Sequence, residues 1–137
     1  LLVDDSLTAR RQLSEALDSI NIPYFVTNNG LEALQMMKNA ASAGKPFDII
    51  VSDIEMPGID GYELAFEIRN DDKLAEAYLI LHTSLSSDIS VDRAKQVGAH
   101  EALTKFDATE LVQAMLRGAM MKTSGSSVKL EGSPTDY

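Results

Sequence analysis

The chain has 137 residues, of which 45% are hydrophobic, and this suits a single globular domain with a buried core. It contains no cysteine, which excludes disulfides and zinc-thiolate sites and favours a reducing compartment, so we expect a cytoplasmic location. No apolar stretch approaches the ~18 residues of a membrane span, and the net charge of −9 argues against a nucleic-acid partner, because binding a phosphate backbone needs a basic face.

Short apolar runs alternate along the chain with longer segments of helical periodicity. We predict strands over residues 1–3, 24–27, 47–52, 78–82 and 102–104. The segments between and after them carry apolar residues at helical spacing, and the polar residues Ser6, Asn29, Asp60 and Asp107 precede four of these predicted helices as N-cap signals. Strands that alternate with helices in this way predict a parallel sheet covered on both faces.

The composition changes after residue 121 to a segment rich in Ser and Gly without apolar periodicity. We therefore predict one domain over residues 1–121 and a mobile C-terminal tail over 122–137, part of it a remnant of expression. The chain starts within a predicted strand and does not begin with Met. We therefore expect a further segment upstream.

Polar side chains follow four of the predicted strands, and the carboxyl ends of parallel strands share one edge of a sheet. These residues are Asp4 and Asp5, Asp53, Thr83 and Ser84, and Lys105. Carboxylates gathered at one edge repel each other unless a cation joins them, and Mg²⁺ or Mn²⁺ suits such oxygen ligands. With Asp53 as nucleophile, and a hydroxyl and an ammonium to bind oxygens, the set has the parts of a phosphoryl-transfer site.

Each of these residues has an ordinary structural interpretation when it is considered alone. Asp4 or Asp5 could cap a helix, Thr83 could be a strand-end hydroxyl, and Lys105 could be a solvated side chain. Their joint placement at the ends of four strands favours the chemical interpretation.

The motifs Asp4-Asp5-Ser6, Ser52 to Gly61, Thr83-Ser84 and Lys105 resemble those of the receiver domains of two-component response regulators. The resemblance covers about residues 1–121. It implies a flavodoxin-like (βα)5 fold, a doubly wound parallel sheet with strand order 2-1-3-4-5.

The same resemblance implies the role of each residue. Asp53 would accept a phosphoryl group from a phosphohistidine of a sensor histidine kinase. Asp4, Asp5, Asp53 and the backbone carbonyl of Glu55 would hold Mg²⁺, while Thr83 and Lys105 would bind the phosphoryl group. The chain would then be a signalling phosphoacceptor rather than an enzyme.

The run His-Thr-Ser-Leu-Ser-Ser at 82–87 and Thr-Lys-Phe at 104–106 resemble, more narrowly, the receiver half of chemotaxis coupling proteins of the CheV type. This resemblance implies a chemotaxis-type kinase as partner and an adaptor domain upstream of residue 1.

Two positions depart from the receiver pattern. Phe106 follows Lys105 where many receivers have proline, so we expect a trans peptide there or a local rearrangement. Ala102 stands where the family tends to carry the aromatic residue that moves when Thr83 engages phosphate. Either Phe106 or another aromatic residue replaces it, or phosphorylation has little conformational effect.

Other interpretations stay open. A degenerate receiver would bind partners without being phosphorylated. A phosphohydrolase of the haloacid dehalogenase type would use Asp53 as nucleophile and Glu55 as general acid, although the chain leaves no room for a cap domain. In a receiver we expect Glu55 to tune the lifetime of the phosphorylated form. His82 and His100 lack metal-ligand spacing, and we predict structural roles for both.

Overall fold

The computed structural model describes residues 1–4, 6–19, 23–83, 91–104 and 108–129. The strands are β1 (Leu2–Val3), β2 (Val26–Thr27), β3 (Ile49–Asp53), β4 (Tyr78–Thr83) and β5 (Glu101–Thr104), and the helices are α1 (Leu7–Ser19), α2 (Gly30–Ser42), α3 (Gly61–Arg69), α4 (Val91–Gln96) and α5 (Ala108–Lys129). The strands form one parallel sheet in the order β2-β1-β3-β4-β5. The predicted flavodoxin-like fold is confirmed.

The sheet separates two hydrophobic clusters because successive side chains of a strand point to opposite faces. Leu79 and Leu81 of β4 pack with residues of α2, α3 and α4. Ile80, between them, packs on the other face with residues of α1 and α5. Burial of a side chain such as Ile80 contributes roughly 1.5–3 kcal/mol to stability. Helices therefore cover both faces of the sheet.

Two of the predicted helix caps are formed. The Asn29 side chain accepts a hydrogen bond from the backbone N–H of Glu32 at 2.7 Å, and the Asp60 side chain accepts one from Glu63 N–H at 2.8 Å. Both bonds satisfy amide groups that the first turn of a helix leaves without partners. The predicted cap at Asp107 lies outside the described residues.

Element ends differ from the predictions. β2 begins at Val26, two residues later than predicted, and is an edge strand of only two residues. α5 continues to Lys129, so residues 122–129 of the predicted tail are helical. Ser and Gly are weak helix formers, but extending an existing helix costs much less than starting one. The division at residue 121 otherwise stays a prediction, since residues 130–137 lie outside the described part. Among the described residues, no helix has the length and apolarity needed to cross a bilayer.

A polar contact ties α5 to the sheet. The phenol of Tyr78 donates a hydrogen bond to Glu101 Oε2 at 2.6 Å, and Arg117 Nε donates to the same oxygen at 3.0 Å. Burial, together with the bond to Glu101, raises the pKa of Tyr78 to about 12. Burial acts to raise the pKa of Glu101 as well, but the hydrogen bonds from Arg117 and Tyr78 leave it lowered.

The raised pKa of Tyr78 predicts a loss of stability in alkali. Between pH 10 and about 12 the unfolded state releases the phenol proton while the folded state keeps it, so folding loses stability as the pH rises. The slope approaches about 1.4 kcal/mol per pH unit. Tyr78→Phe is expected to cost about 1 kcal/mol at pH 8, for the lost hydrogen bond, and less than that at pH 11. Urea unfolding at both pH values measures the difference, and an equal deficit at both would contradict the assigned pKa.

Candidate functional site

Three of the residues predicted for the site lie at the carboxyl edge of the sheet and are buried. Asp4 follows β1 and is 0% exposed, Asp53 ends β3 and is 1% exposed, and Thr83 ends β4 and is 1% exposed. Two carboxylates and a hydroxyl are thus held away from bulk water at one edge. The predicted residues Asp5, Ser84 and Lys105 lie outside the described residues.

Strand register brings the two carboxylates together. Val3 of β1 is in register with Ser52 of β3, so Asp4 falls beside Asp53 one step further along both strands. Asp53 is itself in register with His82 of β4. By alternation these side chains point to the sheet face that α1 and α5 cover. Asp4, Asp53 and His82 therefore form a row across three adjacent strands.

Backbone and side-chain contacts fix Asp4. Its N–H donates to the carbonyl of Thr27 at 3.1 Å, and its own carbonyl accepts from Arg10 Nη1 at 2.8 Å. Its Oδ1 accepts a hydrogen bond from Ser6 N–H at 2.8 Å. His82 Nε2 lies 3.7 Å from the other carboxylate oxygen, Oδ2. The start of α1 and the end of β4 thus both act on this carboxylate.

The turn after β3 holds Asp53. Ile54 N–H donates to the carbonyl of His82 at 2.9 Å, which extends the pairing of β3 with β4 by one residue. Glu55 N–H donates to Asp53 Oδ1 at 3.2 Å, so the turn contacts the carboxylate directly. Gly61 N–H donates to Ile54 carbonyl at 2.9 Å and brings the start of α3 against the same turn.

The approach of α3 leaves no room for a side chain at Gly61. A Cβ built there would lie 2.4 Å from the carbonyl oxygen of Asp53 and 2.8 Å from Ile54 Cα. Both atoms belong to the backbone, which cannot rotate away as a flexible side chain can. The first residue of α3 therefore sets the position of the backbone that carries Asp53.

Thr83 is engaged by an acidic side chain. Its hydroxyl lies 2.7 Å from Glu55 Oε1 and 2.6 Å from Oε2, and it donates to the carboxylate of Glu55. The family resemblance implies that the Thr83 hydroxyl binds a phosphoryl oxygen, and in this structure the carboxylate of Glu55, also an anionic acceptor, receives its hydrogen bond. Hydrogen bonds to charged acceptors contribute about 1.5–3 kcal/mol, so a phosphoryl group would have to compete with Glu55 for this hydroxyl.

The donor atoms at the edge suit a hard divalent cation. Asp4 and Asp53 present carboxylate oxygens side by side, and Mg²⁺ is typically bound through one or two carboxylates. Among the described residues no group of three acidic or histidine side chains could hold a metal. Asp5, which the sequence places in the same set, is not among them. The two described carboxylates fit a magnesium ion that takes its remaining ligands elsewhere.

Two site features were not found from the sequence. The sequence predicts a structural role for His82, and the structure places it in the row beside Asp53, where it faces Asp4. Its position directly before Thr83 indicates that it lies near the site, but the direction of its side chain depends on the register of β4 with β3. The contact between Glu55 and Thr83 depends on the conformation of the turn after Asp53. His100, in contrast, accepts a bond from Leu79 N–H at 3.1 Å and stacks on a neighbouring ring, which fits a structural role.

Comparison with known proteins gives a consistent result. A family model described as the response regulator receiver domain matches residues 1–116. The chain is 34% identical over 120 residues to the chemotaxis protein CheV3 of Helicobacter pylori and 35% identical over 132 residues to the sensor histidine kinase CheAY of the same organism. These matches cover 82% and 96% of the chain but only 38% and 15% of the two relatives.

Solved structures resemble the fold closely. The chemotaxis response regulator CheY4 of Vibrio cholerae is 28% identical with a TM-score of 0.74, and the match covers 85% of this chain and 94% of that one. The response regulator TrrA of Thermotoga maritima, solved in complex with Mg²⁺ and BeF, is 33% identical with a TM-score of 0.71, over 85% of this chain and 95% of that one.

Proposed function

The chain belongs to the response regulator receiver family. On that premise we propose that Asp53 is its phosphoacceptor and receives the phosphoryl group from a phosphohistidine of a sensor histidine kinase. The observation that carries the proposal is the placement of Asp53 at the end of β3, buried beside Asp4 at the carboxyl edge of the sheet. Ligands of open α/β sheets bind at this edge, next to the point where the strand order reverses.

The transfer forms one bond and breaks one. A carboxylate oxygen of Asp53 attacks the phosphorus atom, the bond between phosphorus and the histidine nitrogen breaks, and its electron pair returns to the imidazole. The product is an acyl phosphate on Asp53. Glu55 N–H donates to Asp53 Oδ1 and so restrains the direction of the attacking carboxylate. The phosphoryl group stays on the protein, so we propose a signalling acceptor rather than an enzyme with turnover.

Charge is the main obstacle to this step, because an anionic phosphoryl group approaches a row of carboxylates. We propose that Asp4, Asp5, Asp53 and the backbone carbonyl of Glu55 hold Mg²⁺, which when bound neutralises charge on the phosphoryl oxygens. The oxygen-rich donor set supports this assignment, as does the presence of Mg²⁺ in the TrrA complex. The Thr83 hydroxyl, once released by Glu55, and Lys105 bind the remaining oxygens.

The similarity to CheV3 and the His-Thr-Ser-Leu-Ser-Ser run support a finer assignment. We propose that the donor is a kinase of the chemotaxis type and that the receiver regulates an adaptor domain on the same polypeptide. The chain spans about two fifths of the length of CheV3, so the partner domain and its activity are proposals.

Incubation of the full chain with acetyl phosphate and Mg²⁺ tests the proposed function. We expect intact-mass measurement to reveal the addition of one phosphoryl group, lost on mild alkaline treatment as an acyl phosphate is. Addition of EDTA is expected to prevent the modification. A chain that gains no phosphoryl group in Mg²⁺ would contradict the assignment and favour a degenerate receiver.

The contact between Glu55 and Thr83 predicts faster phosphorylation when the Glu55 charge is removed. In Glu55→Gln the Thr83 hydroxyl no longer has to leave a charged acceptor, so we expect phosphorylation by acetyl phosphate to accelerate by up to about tenfold. The phosphorylated form should also last longer, because the carboxylate that repels the phosphoryl group is absent. The matched control is Glu63→Gln, which changes an exposed glutamate of α3. Unchanged rates of both reactions in Glu55→Gln would contradict a role for the contact.

A further inference from the structure

His82 lies at the candidate site but has no part in the chemistry described above. The residue is 3% exposed, and it stands in register with Asp53. Its Nε2 lies 3.7 Å from Oδ2 of Asp4, which follows β1, a strand that is not adjacent to β4. The ring therefore spans the row of side chains at this edge and ends at the carboxylate of Asp4.

His82 is a buried polar residue that follows a run of buried apolar residues on β4. All six residues of β4 are buried, and the three that precede His82 are Leu79, Ile80 and Leu81. A buried imidazole costs free energy relative to an apolar side chain of similar size unless its polar atoms are used. One such contact is the approach of Nε2 to the carboxylate of Asp4.

The two oxygens of the Asp4 carboxylate are approached from two directions. Oδ1 accepts the N–H of Ser6 at 2.8 Å, and Oδ2 faces His82 Nε2. A ring nitrogen that faces a carboxylate oxygen carries its hydrogen, because two lone pairs would repel each other. At 3.7 Å the contact is longer than a hydrogen bond, and it acts on the direction of the carboxylate through the attraction between the N–H and the anionic oxygen.

We propose that His82 is a positioning residue that orients the Asp4 carboxylate for a divalent cation. The inference rests on the proposed function, in which Asp4 is a ligand of Mg²⁺. Groups that hold ligands from outside the coordination sphere typically affect metal affinity by about 10- to 100-fold. His82 does so through Nε2 while its backbone carbonyl, which accepts from Ile54 N–H, fixes the turn behind Asp53.

Calorimetric titration of the full chain with Mg²⁺, without phosphodonor, tests this role. His82→Leu and His82→Phe remove the N–H, and we expect each to raise the Kd for Mg²⁺ by about tenfold. His82→Gln keeps an N–H donor and should restore affinity to within about threefold of the wild type. Ile80→Val, a change at the buried position two residues earlier on the same face, is the matched control and should bind as the wild type does.

A second readout separates orientation of the ligand from general damage. We expect the Mg²⁺ concentration that gives half-maximal phosphorylation by acetyl phosphate to rise in His82→Leu, while the rate at saturating Mg²⁺ stays within about threefold of the wild type. Urea unfolding without Mg²⁺ should find this variant at least as stable as the wild type, and if it does not fold, His82→Phe carries the comparison. Equal Kd values for the wild type, His82→Leu and His82→Phe would overturn the role of His82 alone. A wild type that binds no Mg²⁺ would overturn the proposed function.

Discussion

Replacing Asp53 with asparagine is expected to abolish phosphorylation by acetyl phosphate and Mg²⁺, leaving the intact mass of the chain unchanged. Asparagine has nearly the same shape but lacks the anionic oxygen that attacks phosphorus. Because the side chain is 1% exposed, an isosteric change avoids the cavity that alanine would leave, and Asp53→Ala serves as a second test.

The free energy of unfolding of Asp53→Asn distinguishes loss of the nucleophile from loss of the folded structure. Asp53→Asn removes one of two adjacent buried carboxylates, so its free energy of unfolding without Mg²⁺ should equal or exceed that of the wild type. Asp60→Asn is the matched control, since it changes an aspartate of the same connection but leaves a residue that caps α3 well. That control should be phosphorylated normally. A phosphoryl group that still appears on Asp53→Asn would place the acceptor elsewhere.

Gly61→Ala is expected to destabilise the chain and to slow phosphorylation together. At an ordinary helical position alanine is more favourable than glycine by about 1 kcal/mol. Here the added methyl group meets the carbonyl oxygen of Asp53 at 2.4 Å, and we expect a net cost of about 2–3 kcal/mol. The shift that relieves this overlap moves the backbone of the nucleophile, and small displacements of a reacting group slow its reaction by tenfold or more, up to about a hundredfold.

The control for this substitution is Gly44→Ala. Gly44 has a φ of +79° but no heavy atom within 4 Å of its built Cβ, so only backbone strain of about 1–2 kcal/mol applies there. Urea unfolding and the rate of phosphorylation by acetyl phosphate compare the two variants. We expect normal phosphorylation in Gly44→Ala. A Gly61→Ala chain with wild-type stability and rate would contradict the close packing of α3 on Asp53.

The fold could be predicted because each signal was local. Short apolar runs such as residues 49–51 and 78–81, with caps such as Asn29 and Asp60, predicted the alternation of elements without knowledge of distant contacts. The strand order came from the family resemblance. Element ends were less predictable, since the length of β2 depends on pairing with β1 and the end of α5 on helix extension.

The same division between local and distant information applies to the site. Asp4, Asp53 and Thr83 could be placed together because parallel strands end at one edge. Two contacts could not be predicted from the sequence. The contact of Glu55 with Thr83 depends on the conformation of the turn after β3. The approach of His82 to Asp4 depends on strand register across three strands. The predictions for Asp5, Lys105 and Phe106 fall outside the described residues.

The hydrogen bond from the Thr83 hydroxyl to the Glu55 carboxylate also has a consequence for the binding of free anions at this edge of the sheet. In a solution that contains inorganic phosphate, the free anion competes for the position that a transferred phosphoryl group takes in the proposed function. An ion that diffuses in has no covalent bond to hold it against Glu55 and the neighbouring aspartates, whereas a group transferred to Asp53 does. If Asp53 is the phosphoacceptor, as proposed, Glu55 therefore weakens the binding of free anions more than it weakens a phosphoryl group that is bound covalently to Asp53.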